Sequence, residues 1–339
     1  MALSQVKCQF KGSLGADLSF SIAAAFTNQN QPFLIVFESK EIAAFHLNDL
    51  ELLLPKEAVL FYPGSYRRPY EIEQTDNTNV LLRSEVLNRI NSQRKSSVIV
   101  TYHEALFEKV LSKKELNKNT LKISVGDMLS LDFVNNVLFE YEFQRVDFVT
   151  EPGEFSIRGG IIDVFSFAND TPYRIEFFGD EVESIRTFDI ASQLSLKPYT
   201  KFQIIPNIEH KLKHEKRVGF LDYIPQNTVV WTQNLPALFQ TTKVLFEKAK
   251  SAYKLLSESI QYNDPGALFC TSDNFKQSLQ KFSIFEVGSE TFYNTEAENI
   301  VEVNVGPQPT FNKQFKLLID DLNQKQASGF ENYICCANA

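Results

Sequence analysis

The chain has 339 residues, more than one average domain, and its 43% hydrophobic and 22% charged fractions are those of a chain that buries real cores. That composition excludes a small disulfide-stapled scaffold and disorder over most of the length. Lys and Arg number 34 against 42 Asp and Glu, and the net charge of -8 argues against a chain-wide grip on phosphate, leaving room for a local basic patch.

In chain order, Lys7 and Lys11 precede the apolar stretch Leu18 to Phe26, which serines interrupt, so it reads as a helix of a soluble domain and not as a signal peptide. Phe33 to Phe37, Ala58 to Phe61 and Ser97 to Tyr102 are short apolar runs, expected as strands buried on both faces. Between them, Ser39 to Leu54 and Leu81 to Ser92 carry apolar residues at helical spacing, which together with the strands predicts a parallel α/β sheet. Residues 62–79, with Pro63, Gly64 and Pro69, form a long connection. Asp127 to Phe143 is expected as one helix. From Arg145 to Thr200 the pattern breaks into short alternating runs punctuated by Pro152-Gly153, Gly159-Gly160, Asn169-Asp170 and Gly179-Asp180, an antiparallel β module. Mixed elements return after Lys201: a strand at Thr228 to Trp231, a helix from Leu235 to Ile260, and strands near Ile284 and at Ile300 to Val305. Asn332 to Ala337 reads as a buried strand with no helix after it, as in a domain cut short. The expected division is 1–119, 120–200 and 201–339, the last completing the sheet of the first.

No run of about 18 apolar residues suggests a membrane span. Cys8, Cys270, Cys335 and Cys336 lie far apart or adjacent, without metal or disulfide spacing, so the chain reads as reduced and cytosolic, with no metal and no cofactor. His210 and His214 are four apart, but inside the strongly charged stretch Glu209 to Arg217, which reads as a solvated face.

Gly12 to Ser19 fits the phosphate-loop frame GxxxxGK[ST] at all but two places. Asp17 stands where the second glycine should let backbone N–H groups close on phosphate, and Leu18 stands where lysine should neutralise it. A carboxylate there repels a polyphosphate, so the stretch is either a decayed phosphate loop, with Gly12 and Ser19 as its remnants, or a glycine-containing turn. Neither reading supports catalysis by these residues, and no catalytic arrangement stands out elsewhere.

In Tyr173 to Phe178, period-two alternation places Tyr173, Ile175 and Phe177 on one face and Arg174, Glu176 and Phe178 on the other. Arg158, beside a glycine pair, belongs near the same polar face. Arginine with an exposed aromatic is the composition of a protein-binding hot spot. Alternatively, Phe178 fills a satellite core and the arginines pair with Glu176, Asp180 and Glu181.

The strings Arg145 to Phe165 and Tyr173 to Asp189 resemble the UvrB-homology module of bacterial transcription-repair coupling factors. The similarity extends more weakly through Phe61-Tyr-Pro63, Tyr70, the Arg83 to Ile90 helix and Val98 to Val100. It implies a UvrB-like fold: a RecA- or helicase-like parallel-sheet domain with a degenerate phosphate loop, an inserted antiparallel β domain, and a further mixed α+β domain. UvrB itself keeps an intact phosphate loop, so Asp17 and Leu18 favour the coupling factor. The resemblance further implies an N-terminal, cytoplasmic docking module without ATPase activity. Its β domain would bind UvrA through Arg158, Arg174 and Phe178, with Asp180 beside them. RNA polymerase, double-stranded DNA, a translocase motor and a C-terminal domain that masks this face would belong to the full-length protein. The other reading left open is a decayed helicase-like DNA-binding or structural domain, with Lys211 to Arg217 and the lysines at 109, 113, 114, 118 and 122 lining one groove; an active UvrB-type ATPase is more remote.

Overall fold

The structure, a computed structural model, describes residues 5–29, 31–65, 70, 77–92, 96–167, 169–205, 216–255, 263–293, 295–307 and 309–334. Its first third runs β1 (Lys7–Lys11), α1 (Asp17–Asn28), β2 (Phe33–Phe37), α2 (Lys40–Leu53), β3 (Val59–Tyr62), α3 (Asn77–Ser92), β4 (Val98–Tyr102), β5 (Val110–Leu111) and α4 (Lys113–Lys118). There follow β6 (Leu121–Ser124), α5 (Leu131–Glu140), β7 (Gln144–Arg145), β8 (Glu154–Arg158), β9 (Ile161–Val164), β10 (Tyr173–Phe178), β11 (Glu181–Phe188), β12 (Ser195–Tyr199) and β13 (Lys201–Ile204). The remainder is β14 (Arg217–Val218), α6 (Phe220–Tyr223), β15 (Val229–Gln233), α7 (Leu235–Leu255), α8 (Pro265–Leu268), α9 (Ser272–Leu279), β16 (Ser283–Val287), β17 (Ile300–Glu302) and α10 (Phe315–Ala327).

Seven strands form one sheet in the order β17-β1-β16-β15-β2-β4-β3, and every pairing in it is parallel. β2 and β4 are buried at every position, as continuous apolar runs in a sheet covered on both faces must be. Strands from both ends of the chain are interleaved in this sheet, so residues before 119 and after 204 share a single core built around Phe33, Ile35, Val100, Trp231 and Ile284. Trp231 stacks on Phe285 and meets Phe10 edge-on, which ties β15, β16 and β1 together. Short polar side chains start the covering helices: Ser39 accepts from Ile42 N–H at α2, and Thr271 and Asn274 form a reciprocal capping box at α9.

The second sheet, β12-β11-β10-β9-β8-β7, is antiparallel except at β7 and β8, which run parallel, so the expected antiparallel module has one parallel edge. Strands β6 and β13 pair beside it, and Ile123, Phe202 and Ile204 sit in its core with Phe155, Ile162 and Ile175. The packing of this module therefore runs past residue 200. A bulge between Glu176 and Phe177 twists β10 against β11, and Gly179, at φ +62°, makes the left-handed turn that a two-residue hairpin needs.

Several expected elements differ: the strand expected at Ile300 to Val305 stops at Glu302, α3 begins at Asn77 inside the expected connection 62–79, and the expected end of the Leu235 to Ile260 helix lies outside the described residues. The helix expected from Asp127 to Phe143 spans only Leu131–Glu140, because Asp127 closes a turn onto the Ser124 N–H and Ser130 caps the helix at the Phe133 N–H. Glu142, at φ +60°, ends the run before Phe143. Residues 332–334 form no strand and are exposed, since no described strand of Asn304–Ala339 lies beside them; 335–339 fall outside the described residues. The segment Asn304–Ala339 is a unit separate from Met1–Val303, and its helix α10 buries none of its side chains. No helix among the described residues is long and apolar enough to cross a membrane.

Candidate partner-binding face

One row of the module's sheet crosses four strands: Ser156 on β8 lies opposite Asp163 on β9, Asp163 opposite Arg174 on β10, and Arg174 opposite Arg186 on β11. Asp163 is the centre of this row. Its side chain is 1% exposed, and two guanidinium groups satisfy it. Arg174 donates bidentately, Nε to Oδ1 at 2.7 Å and Nη2 to Oδ2 at 2.9 Å, while Arg158 donates from Nη2 to Oδ2. The Asp163 hydrogen bonds hold the Arg174 pKa above its ordinary value, so the guanidinium stays charged.

Each arginine also covers a ring: Arg158 lies 5.2 Å from the centre of Phe148, which is itself exposed, and Arg174 lies 4.8 Å from that of buried Phe188. Arg174 donates a further bond to the Gln193 carbonyl at 3.2 Å. Arg186 of this row reaches Glu176 in the adjoining row to form a second ion pair, and Ser184, opposite Glu176, also donates to that carboxylate at 2.7 Å. Further along β10 on the same face, Phe178 is 78% exposed, whereas Phe177, pointing the other way, is 9% exposed. Two arginines on one carboxylate leave a net positive charge, with the Phe148 and Phe178 rings available to water or to a partner.

The structure thus brings Arg158 and Arg174 together on one carboxylate, places Phe178 on their face, and sets Asp180 in the exposed hairpin turn, its carbonyl accepting from Leu129 N–H at 2.7 Å. The arginine partner is Asp163, and not the Glu176, Asp180 or Glu181 that sequence neighbours suggested. Asp163 sits in Ile-Ile-Asp-Val, where a lone acid between apolar residues was the available signal, and Phe148 and Arg186 carried none.

At the other candidate, β1 runs into a loop with Gly12 at φ +83° and Gly15 at φ +62°, and α1 begins at Asp17. A Cβ on Gly12 would stand 2.0 Å from the Val303 carbonyl oxygen, so the chain leaving β17 closes against the loop and only glycine fits. Asp17 lies in the first turn of α1, where a carboxylate favours the helix dipole. Leu18 is buried in the core. Ser19 is buried as well, donating to Asp49 Oδ2 at 3.0 Å and lying 2.8 Å from His46 Nδ1. Because its single proton goes to Asp49, the imidazole Nδ1–H is the donor in the second bond. His46 stacks on Phe37, and burial pushes its pKa below the usual imidazole range. Leu18 and Ser19 are therefore committed to packing, and Asp17 puts negative charge at the helix start.

His210 and His214 lie outside the described residues, and no group of three potential metal ligands occurs among the described ones. Cys8 and Cys270 are free.

Comparison with known proteins finds similarity over part and over most of the chain. Residues 121–210 match the UvrB interaction domain. Over 97% of its length it is 25% identical to the transcription-repair-coupling factor of Bacillus subtilis, and over 61% it is 30% identical to that of Rickettsia bellii. It is also 24% identical over 70% of its length to the UvrABC system protein B of Thermotoga neapolitana. These matches cover 33%, 18% and 37% of the respective relatives, so the chain spans between about a fifth and little more than a third of their length. The UvrB-homology region of the coupling factors is thus the part this chain resembles, and its parallel sheet with an inserted β module is a UvrB-like α/β architecture.

Proposed function

We propose that this chain is the N-terminal docking module of a transcription-repair coupling factor and recruits UvrA during nucleotide excision repair. The observation that carries the reading is the exposed Phe178 beside two arginines fixed on a buried carboxylate, within the segment that matches the UvrB interaction domain. Rigid aromatic and arginine anchors lose little freedom on binding, which makes them effective centres of an interface. Asp180, in the adjacent turn, stands at the rim. The chain works without hydrolysing ATP, because Asp17 and Leu18 replace the groups that would hold a polyphosphate and the Ser19 hydroxyl is already taken. In a longer protein, contacts to RNA polymerase and a translocase motor belong to other segments, and a C-terminal domain masks this face until the motor engages.

Calorimetric titration of UvrA into the chain tests the reading. Arg158→Ala, the more exposed of the two arginines, should weaken binding at least tenfold while leaving the melting temperature close to the parent's. Parent-like binding by both Arg158→Ala and Phe178→Ala would place the interface elsewhere.

A further inference from the structure

Away from the Asp163 face, the fold gathers positive charge from two distant parts of the chain. β5 and β14 form a two-residue antiparallel ladder, with Leu111 opposite Arg217 and Val110 opposite Val218, and the Ser112 N–H donates to the Lys216 carbonyl at 2.9 Å. This short ladder sets Lys216 and Arg217 against the start of α4, which carries Lys113, Lys114 and Lys118. The Lys113 ammonium lies 5.3 Å from the centre of the Tyr223 ring on α6. Arg217 donates to the Lys109 carbonyl at 3.3 Å, and Lys109 to the Gly266 carbonyl at 2.6 Å, so these two groups brace the ladder. Lys113, Lys114, Lys118 and Lys216 are exposed.

The acids of β5, α4, β14 and α6 are Glu115 and Asp222, and Asp222 is engaged by Lys281 at 2.7 Å and Ser278 at 2.9 Å. Glu108, just before β5, is buried against Arg83 and Ser65. The surface is thus cationic in a chain whose net charge is -8, which concentrates attraction for a polyanion at one place.

We infer that this face grips the phosphate backbone of duplex DNA without reading its sequence. Four exposed ammonium groups, three on a short helix and one just before β14, suit a row of phosphates, which bind as point charges and carry no sequence information. The aromatic residue at the centre, Tyr223, is buried beneath Lys113, so its ring offers no platform on which a single-stranded base could stack. α4, with six residues, is too short to lie along a groove and read base edges. The inference rests on charge and burial alone and is independent of UvrA docking.

Fluorescence anisotropy of a short labelled duplex, titrated with the 339-residue chain, tests it. Four phosphate contacts predict that affinity falls about 150-fold between 50 and 200 mM salt, and that Lys114→Gln lowers the slope of log affinity against log salt by about 0.9. The variant K113E/K114E/K118E/K216E should lose saturable binding while melting like the parent, and Lys→Gln at the same four positions gives a second check should the charge reversals disturb folding. Arg174→Ala should bind the duplex as the parent does, whatever its effect on UvrA. Parent-like duplex binding by the fourfold Gln variant, no saturable binding by the parent at low salt, or a tenfold preference for single strand would each overturn the inference.

Discussion

Replacing Asp163 by alanine removes the one carboxylate on which two arginines converge, and the geometry sets the cost. Arg174 loses two charge-assisted bonds of 2.7 and 2.9 Å with its side chain only 17% exposed, while Arg158, at 42% exposed, turns to water. Stranding a buried charge costs about 3–5 kcal/mol, and a surface pair contributes about 1 kcal/mol or less. Arg174 keeps the Gln193 carbonyl and a partial path to water, so the lower end applies, about 3 kcal/mol. Far-UV circular dichroism during urea titration is the appropriate probe, because the single tryptophan, Trp231, sits in the parallel sheet and does not report on the β module. The early part of the transition should move to lower urea while Trp231 fluorescence holds. The double variant Asp163→Leu/Arg174→Leu should recover much of the loss, since replacing both partners leaves no unpaired charge. An Asp163→Ala protein within about 0.5 kcal/mol of the parent would refute the idea that this clamp holds the module.

Phe177→Ala should cost about 3–5 kcal/mol and Phe178→Ala less than about 0.5 kcal/mol in the same urea titration, because only the first ring is buried; the opposite order would invert the face assignment. Titration with Mg-ATP should show no heat, and a micromolar dissociation constant, about -8 kcal/mol, would contradict the reading of the Asp17 loop. Burial depresses the pKa of His46 and of His103, so the unfolded chain takes up protons first and stability should fall as the pH drops from about 7 toward 5.5. Glu286, raised by burial, contributes in the opposite sense, so the readout is the shallower slope expected of His46→Gln/His103→Gln.

The central strands could be read directly because β2 and β4 are apolar at nearly every position, and only a doubly covered sheet buries such a run. The Phe177 and Phe178 contrast was legible for a similar reason, since strand alternation fixes opposite faces for neighbours. Asp163 escaped because its role depends on register across β8, β9 and β10, which no local pattern encodes. The true start of α5 escaped because Asp127 and Ser130 are both capping residues, and only tertiary pairing with β11 decides between them. The β5–β14 ladder is two residues long and joins segments far apart in the chain, so the basic residues it assembles could be named but not placed together.

The strand order of the parallel sheet has a consequence for synthesis. β1 is flanked by β16 and β17, so a strand made about 290 residues earlier waits for Glu302 before both its edges are paired. Every strand of the β module, by contrast, lies between Leu121 and Ile204 and meets partners from the same stretch. Contacts close in sequence form before distant ones, since less chain entropy is lost in closing them. The Asp163 face can therefore be assembled on a nascent chain whose larger sheet is still open, and the exposed backbone of β1 is the part most in need of protection during that interval.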